Sequence, residues 1–182
     1  MAAPRTDAEI IERVLGGNTE AFGDLVDRYQ DEFVAYAKYM TGSEDEAADV
    51  IQESLVRAYR SLGRCRDRAN FKGWLFRIVS NQCKTHVSRG RRRAEVLSQA
   101  AREPSTTEDP HAQAHAAELR RQVHESLQLL PAEQREALVL RYVEGLSVTE
   151  MAELLGTSLS AVKMRLLRAR NALRERFEGV AI

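Results

Sequence analysis

The chain has 182 residues, of which 43% are hydrophobic and 30% charged, and its 27 basic and 27 acidic residues give a formal net charge of zero. Two cysteines are too few for a disulfide framework, and no apolar run approaches the roughly 18 residues of a membrane span. The N-terminal residues lack the basic and then apolar order of a signal peptide. We therefore expect a cytoplasmic protein of one or two domains without membrane insertion.

Charge is unevenly distributed along this neutral chain. Residues 1–63 carry 13 acidic and six basic residues, whereas residues 64–93 carry ten basic residues and one acid. In residues 94–182, six of the 11 bases lie between Lys163 and Arg176. Two separate basic segments indicate two anion-binding surfaces, and the acidic segment indicates a surface for another partner. The alternative is that each basic segment is a solvated helix face.

Helical periodicity runs through the first half of the chain. Asp7 is expected to cap a short first helix. Asn18 opens a second helix, which ends at Gly42. Ser43 caps a third helix, which ends at Gly63. The segment "FKGWLFRIVSNQCKTHVSRGRRR" predicts a fourth, basic helix.

Apolar periodicity is lost after this helix. The stretch "REPSTTEDPHAQAH" has two prolines, small polar residues and no apolar period, a composition typical of a linker. Periodicity returns near Ala116. We therefore predict an all-α protein with two small helical domains, residues 1–93 and 116–182, joined by a flexible linker of residues 94–115.

The second domain has the element order of a helix-turn-helix. Ser147 and Glu150 have capping-box spacing at the start of a short helix, and Gly156 supplies the turn. Thr157 or Ser158 then caps a longer basic helix. An ordinary helical hairpin has the same order, so the faces of the longer helix must decide between the two.

That longer helix has one apolar side and one mixed side. The residues predicted to face the core are Leu159, Val162, Leu166, Ala169, Leu173 and Phe177. Met164 and Leu167 point away from this side, where they suit thymine methyl groups in a major groove, and Lys163 or Arg168 suits guanine edges. The later bases, Arg174 among them, suit phosphates.

The first domain offers two candidate surfaces. Asp49, Gln52 and Glu53 have helical spacing and suit a protein-docking face, although a solvated acidic helix has the same pattern. In the fourth helix, Phe71 and Trp74 stand among basic residues, which suits stacking on unpaired bases. The alternative is that Trp74 belongs to the core.

Five segments, in this order, carry a resemblance to a known family. They are "AFGDLVDRYQDEFVAYA", "DEAADVIQESLVRAY", "FKGWLFRIVSNQCKTHVSRGRRR", "LPAEQREALVLRYVEGLSVTEMAELLGTS" and "SAVKMRLLRARNALRERF". The chain resembles a bacterial sigma factor of the extracytoplasmic-function group, which has only the second and fourth sigma regions. The resemblance covers about residues 18–93 and 116–177.

The resemblance implies that the protein binds core RNA polymerase, at the β′ clamp and the β flap, and directs it to promoter DNA. The β′ clamp would then contact Asp49, Gln52 and Glu53. The loop of residues 63–70 would choose a flipped base of the −10 element. The −10 strand would contact Lys72, Trp74, Arg77, Asn81 and Lys84. The −35 element would contact Ser160, Lys163, Met164, Leu167 and Arg168.

The same resemblance implies two further features. The linker would run toward the RNA exit path, where Glu103, Glu108 and Asp109 would mimic the charge of nascent RNA. An anti-sigma factor that covers the docking faces is a further candidate partner.

The motifs of common enzymes are missing from the sequence. It has no G-x-x-x-x-G-K-[ST] loop, no H-E-x-x-H motif and no cysteine pair at zinc spacing, so we expect neither an enzyme nor a cofactor or metal. Cys83 and His86 with Cys65, or His111 with His115, fall short of four ligands. The alternative function is a helix-turn-helix regulator that binds duplex DNA without polymerase, usually as a dimer on two half-sites.

Overall fold

The computed structural model describes residues 5–97 and 113–178, and every regular element in these two stretches is helical. The α-helices in these stretches are α1 Asp7–Leu15, α2 Phe22–Thr41, α3 Glu44–Ser61, α4 Phe71–Leu97, α5 Gln113–Leu129, α6 Ala132–Leu138, α7 Val148–Leu155 and α8 Leu159–Glu178. Short 3₁₀ turns precede α2 and follow α3, and a π-helical turn, Val139–Val143, follows α6. The prediction of an all-α fold is confirmed for the described residues.

Side-chain caps explain where several helices begin. Asn18 and Ser43 each accept a hydrogen bond from the backbone N–H three residues later, as predicted. The predicted Asp7 cap is wrong, because Thr6 caps α1 in a capping box with Glu9. The backbone N–H and the hydroxyl of Thr6 both donate to the Glu9 carboxylate and lower its pKa.

Asp7, free of the capping role, joins α1 to α2. The Tyr29 hydroxyl donates to Asp7 Oδ2 at 2.6 Å, and Arg28 forms an ion pair with the same carboxylate. Burial, followed by this hydrogen bond, raises the pKa of Tyr29 to about 12, so the phenol stays protonated at neutral pH. Ile10 and Ile11 are buried on the core side of α1. The first helix is therefore held by apolar packing and by a polar anchor.

The chain divides into two compact units, Met1–Lys38 with Ser43–Cys83, and Tyr39–Gly42 with Lys84–Ile182. Aromatic rings build much of the first core: Phe33 and Tyr36 contact Phe76 at centroid distances of 6.1 and 4.9 Å. The division falls inside α4, before the predicted boundary at residue 93. The reason is that the buried residues described in α4 end at Cys83.

The second unit is built around α8, against which α6, α7 and α5 pack. Arg135 of α6 is buried, and its guanidinium donates to the carbonyl oxygens of Leu127, Gln128 and Leu130 at 2.9, 2.6 and 3.5 Å. These carbonyls lie at or just after the end of α5, where a helix leaves carbonyl groups without their usual donors; the Leu127 carbonyl also accepts from the Leu130 N–H at 3.1 Å. Arg135 therefore fixes the turn between α5 and α6.

Helical structure enters both ends of the predicted linker, because α4 continues to Leu97 and α5 begins at Gln113. The acidic linker residues Glu103, Glu108 and Asp109 lie outside the described residues.

Candidate nucleic-acid interface

The turn between α7 and α8 has the geometry that the helix-turn-helix prediction requires. Ser147 Oγ accepts from the Glu150 N–H at 3.2 Å, and Glu150 Oε2 accepts from the Ser147 N–H at 2.7 Å. The Ser147 hydroxyl and its backbone N–H lower the pKa of Glu150. Gly156 ends α7 with φ 62° and ψ 41°, a left-handed conformation that favours glycine. Ser158 Oγ accepts from the Ala161 N–H at 3.1 Å and so caps α8.

One face of α8 packs on its own unit, and the opposite face is exposed. Val162, Leu166 and Ala169 are buried, as predicted. Leu159 and Phe177 were also predicted to face the core, but they are 47% and 44% exposed. Leu159 is the first residue and Phe177 the last but one of this 20-residue helix.

The residues predicted to contact the −35 element all lie on the exposed face: Ser160, Lys163, Met164, Leu167 and Arg168. Met164 and Leu167 are 45% and 42% exposed. Arg165 lies on the flank and is partly covered, with Nη2 3.5 Å from Glu133 Oε2. The exposed face therefore presents apolar and basic groups together.

The predicted −10 residues of α4 differ in accessibility. Arg77 and Asn81 are exposed, whereas Trp74 and Lys84 are partly covered. The Trp74 ring lies 5.7 Å from the buried ring of Phe71, centroid to centroid. Trp74 therefore packs partly in the core and keeps part of its surface in solvent, while its stacking on an unpaired base stays a prediction.

Lys72 has a partner that the sequence did not predict. Its ammonium lies 2.7 Å from Glu32 Oε1 of α2, and both side chains are about half exposed. The two residues are far apart in the sequence, so helical periodicity could not link them. A DNA phosphate that binds Lys72 must compete with this carboxylate.

The loop before α4 is ordered by its own hydrogen bonds. The buried Cys65 thiol donates to the Asp67 carbonyl oxygen at 3.5 Å, and burial, with the Asp67 charge, raises the pKa of that thiol. Asp67 in turn accepts from the Asn70 N–H at 3.2 and 3.3 Å. Asn70 Oδ1 accepts from the Gly73 N–H at 3.3 Å and caps α4.

The acidic face of α3 is accessible and larger than predicted. Asp49, Gln52 and Glu53 are exposed, and Glu53 Oε2 accepts from the buried Gln82 side chain at 2.8 Å. Val56 lies one turn beyond Gln52 and Glu53 and is 43% exposed, an accessible apolar side chain that the sequence did not lead us to predict. The sequence feature that could have identified Val56 is its position outside the apolar stripe of α3. The face therefore has an apolar neighbour beside its polar groups.

The described residues contain neither a candidate metal cluster nor a candidate membrane-spanning helix. Within residues 5–97 and 113–178, no cluster of three His, Cys, Asp or Glu side chains is placed to hold a metal ion. Cys65 and Cys83 are free and buried. The side chains of His111 and His115 lie outside the described part. In the same part of the chain, no helix combines the length and apolarity needed to cross a membrane.

Comparisons with known proteins place both units in one family. The family profile "Sigma-70 region 2" matches residues 25–93, and "Sigma-70, region 4" matches residues 120–173. The RNA polymerase sigma-H factor of Pseudomonas aeruginosa is 35% identical over 95% of this chain and 94% of its own length. The ECF RNA polymerase sigma-E factor of Escherichia coli (strain K12) is 32% identical, with 95% of each chain covered.

Two solved structures agree with the sequence comparisons. CnrH, in complex with the cytosolic domain of CnrY, has a TM-score of 0.64 and 29% identity over 96% of this chain and 99% of its own. The sigma factor RpoE of Bartonella quintana, in complex with the anti-sigma factor NepR, has a TM-score of 0.62 and 27% identity, with 89% and 99% covered. The chain therefore belongs to the extracytoplasmic-function group of sigma-70 family sigma factors, non-catalytic proteins that bind core RNA polymerase and direct it to promoters.

Proposed function

We propose that this sigma factor divides its work among three surfaces. α3 docks on the β′ clamp of core polymerase, α4 and its preceding loop open and bind the −10 element, and α8 binds the −35 element. The observation that carries the proposal is the exposed face of α8, where Met164 and Leu167 lie beside Lys163 and Arg168. We expect the protein to act in the cytoplasm, where polymerase meets the chromosome.

The −35 step uses the mixed character of that face. In a major groove, the Met164 and Leu167 side chains contact thymine methyl groups, and Lys163 or Arg168 donates to guanine O6 and N7. Ser160, near the capped N-terminus of α8, is placed to donate to a base edge or a phosphate. The second unit anchors to the β flap in this arrangement and so presents α8 to the DNA.

The −10 step uses stacking and charge on α4. The accessible part of Trp74 supports an unstacked base, and Asn81 donates to or accepts from its edge. Lys72, Arg77 and Lys84 bind the strand backbone, with Lys72 exchanging Glu32 for a phosphate. The loop of residues 63–70 chooses the flipped base, supported by its ordered backbone.

The docking step uses the acidic face of α3. Asp49 and Gln52 offer polar contacts to the β′ clamp, and Val56 adds apolar area beside them. Interfaces combine such polar groups with an apolar centre. Structures similar to this chain are described as complexes with CnrY and with the anti-sigma factor NepR. We therefore include an anti-sigma factor that covers these faces among the proposed partners.

Run-off transcription with purified core polymerase on a random promoter library tests the proposal. We expect core polymerase to gain activity on a subset of promoters that share two asymmetric elements, one near −35 and one near −10. Activity without a shared −35 element would contradict the role of α8. Tight binding to a palindromic duplex site without polymerase would favour an independent regulator instead.

A further inference from the structure

The first helix, α1, contacts the loop that is proposed to choose the −10 base. Arg68 Nη1, in the exposed middle of that loop, lies 3.2 Å from Glu12 Oε1 of α1. At the start of the loop, α1 lies against the 3₁₀ turn Leu62–Arg64. The helix is therefore close to the start of the loop and forms an ion pair with its middle.

The two ends of the loop are fixed to the rest of the unit by buried or capping residues, whereas side chains in its middle are exposed. Its start is anchored by buried Leu62 and Cys65, and its end by Asn70 as the cap of α4. Between these anchors, Arg66 and Ala69 are exposed. The Arg68–Glu12 ion pair links this exposed part to a helix.

The helix itself is well placed to hold the loop still. Ile10 and Ile11 are buried in the first core, and Asp7 accepts from Tyr29 of α2 at 2.6 Å. Glu12 lies on the exposed side of the same helix. Because α1 is fixed to the core of the unit, the ion pair with Glu12 restrains the position of Arg68.

We propose that α1, through Glu12, is a positioning element for the loop of residues 63–70 and sharpens its choice of the −10 base. The inference rests on the proposed function, in which this loop selects the flipped base. A loop held in the conformation that fits one base must be distorted to accept another, so the restraint raises the cost of binding an incorrect base and increases the discrimination. Glu12 contacts no DNA in this arrangement and acts only through Arg68.

The test compares transcription from promoters that differ at one −10 base, with holoenzymes carrying Glu12→Arg, Arg68→Glu or both. We expect Glu12→Arg to reduce the ratio of preferred to disfavoured promoters by about two- to fivefold, the range of an exposed ion pair. The double variant restores the ion pair with its charges exchanged and should recover most of the ratio of preferred to disfavoured promoter activity. Glu20→Arg, on an exposed acid outside the loop, is the matched control and should leave the ratio unchanged.

A substitution within the loop separates failure of the inference from failure of the proposed function. Arg66→Glu combined with Ala69→Arg changes two exposed side chains. If this variant alters base choice and Glu12→Arg does not, α1 has no positioning role. If neither alters base choice, the loop does not select the base, and both proposals fail.

Two more readouts complete the test. Equal core affinity and helical circular dichroism show that each variant is folded, and the milder Glu12→Gln should show a smaller change in the same direction. A uniform change on all promoters, with an altered salt dependence, would mean that Arg68 binds a phosphate, and it would overturn the inference.

Discussion

Arg168 and Arg174 are both exposed on α8, but they stand in different parts of the helix. Arg168 lies beside Leu167 on the face proposed for base contacts, whereas Arg174 is near the C-terminal end and donates to Asn171 at 3.0 Å. We expect Arg168→Ala to cost about 1–3 kcal/mol of binding and to alter −35 preference. We expect Arg174→Ala to weaken binding to all −35 sequences evenly and to reduce the dependence of the binding constant on salt concentration. Anisotropy of holoenzyme on matched and mismatched −35 duplexes measures both.

If both variants lose the same binding affinity on matched and on mismatched duplexes, Arg168 does not read a base. The comparison is well controlled because both changes remove one exposed guanidinium from the same helix.

Asn81 tests the −10 surface more cleanly than Trp74. Trp74 packs on Phe71, so Trp74→Ala removes core contacts as well as a stacking surface. Asn81 is exposed, and we expect Asn81→Ala to stay folded, to bind core polymerase and to open promoters poorly. Permanganate reactivity of −10 thymines measures the opening. A premelted −10 bubble should restore activity if Asn81 helps to open the duplex. Wild-type reactivity on the closed promoter would remove Asn81 from the site.

Individual residues also show why part of the site could not be predicted. The types and helical spacing of Lys163, Met164 and Arg168 were enough to predict an exposed mixed face. The partners of Lys72 and Glu53 could not be predicted in this way, because Glu32 and Gln82 lie on other helices. Such pairs depend on how helices pack, and no periodicity within one helix reports on that.

At the level of elements, the capping box of α7 supports the start of the helix-turn-helix. Replacing an N-cap serine by alanine typically costs about 0.5–2 kcal/mol. We expect Ser147→Ala to destabilise the second unit by an amount in this range, because the Ser147 hydroxyl accepts from the Glu150 N–H. Hydrogen exchange of the α7 amides in the full chain measures the effect. Unchanged protection would show that the cap contributes little.

The same capping box predicts a pH dependence. Hydrogen bonds from Ser147 lower the pKa of Glu150, so the folded state prefers the ionised carboxylate. This stabilisation is present above the ordinary carboxyl pKa and is lost as the pH falls through the lowered value. The melting temperature of wild type should therefore exceed that of Glu150→Gln at neutral pH, and the difference should shrink in acid. Glu175→Gln, on an exposed acid of α8, should show no such change.

The elements themselves were largely predictable, because caps and apolar spacing are local. The start of α3 after Ser43 was predicted correctly, Asn18 caps the 3₁₀ turn that leads into α2 at Phe22, and Thr6 rather than Asp7 caps α1. Periodicity gives the side of a helix that faces the core, but not how far its neighbours reach. This is why Leu159 and Phe177 lie on the predicted side of α8 and are still exposed.

For the whole molecule, core binding is expected to depend on the acidic face of α3. Asp49 is exposed, so Asp49→Arg should reduce affinity for core polymerase while costing under about 0.5 kcal/mol of folding stability. Asp27→Arg makes the same charge change on an exposed residue of α2 and is the control. Fluorescence anisotropy with labelled sigma factor measures the affinities. Equal affinities for wild type and Asp49→Arg would exclude this face from the interface.

The ion pair between Lys72 and Glu32 has a consequence for how the protein searches a genome. Non-specific DNA outnumbers promoters by many orders of magnitude and competes through phosphate contacts alone. In the proposed function, a phosphate that binds Lys72 must first displace a carboxylate 2.7 Å away, at the modest cost of an exposed ion pair. The internal acid would then reduce the contribution of Lys72 to binding any DNA backbone, random sequence included.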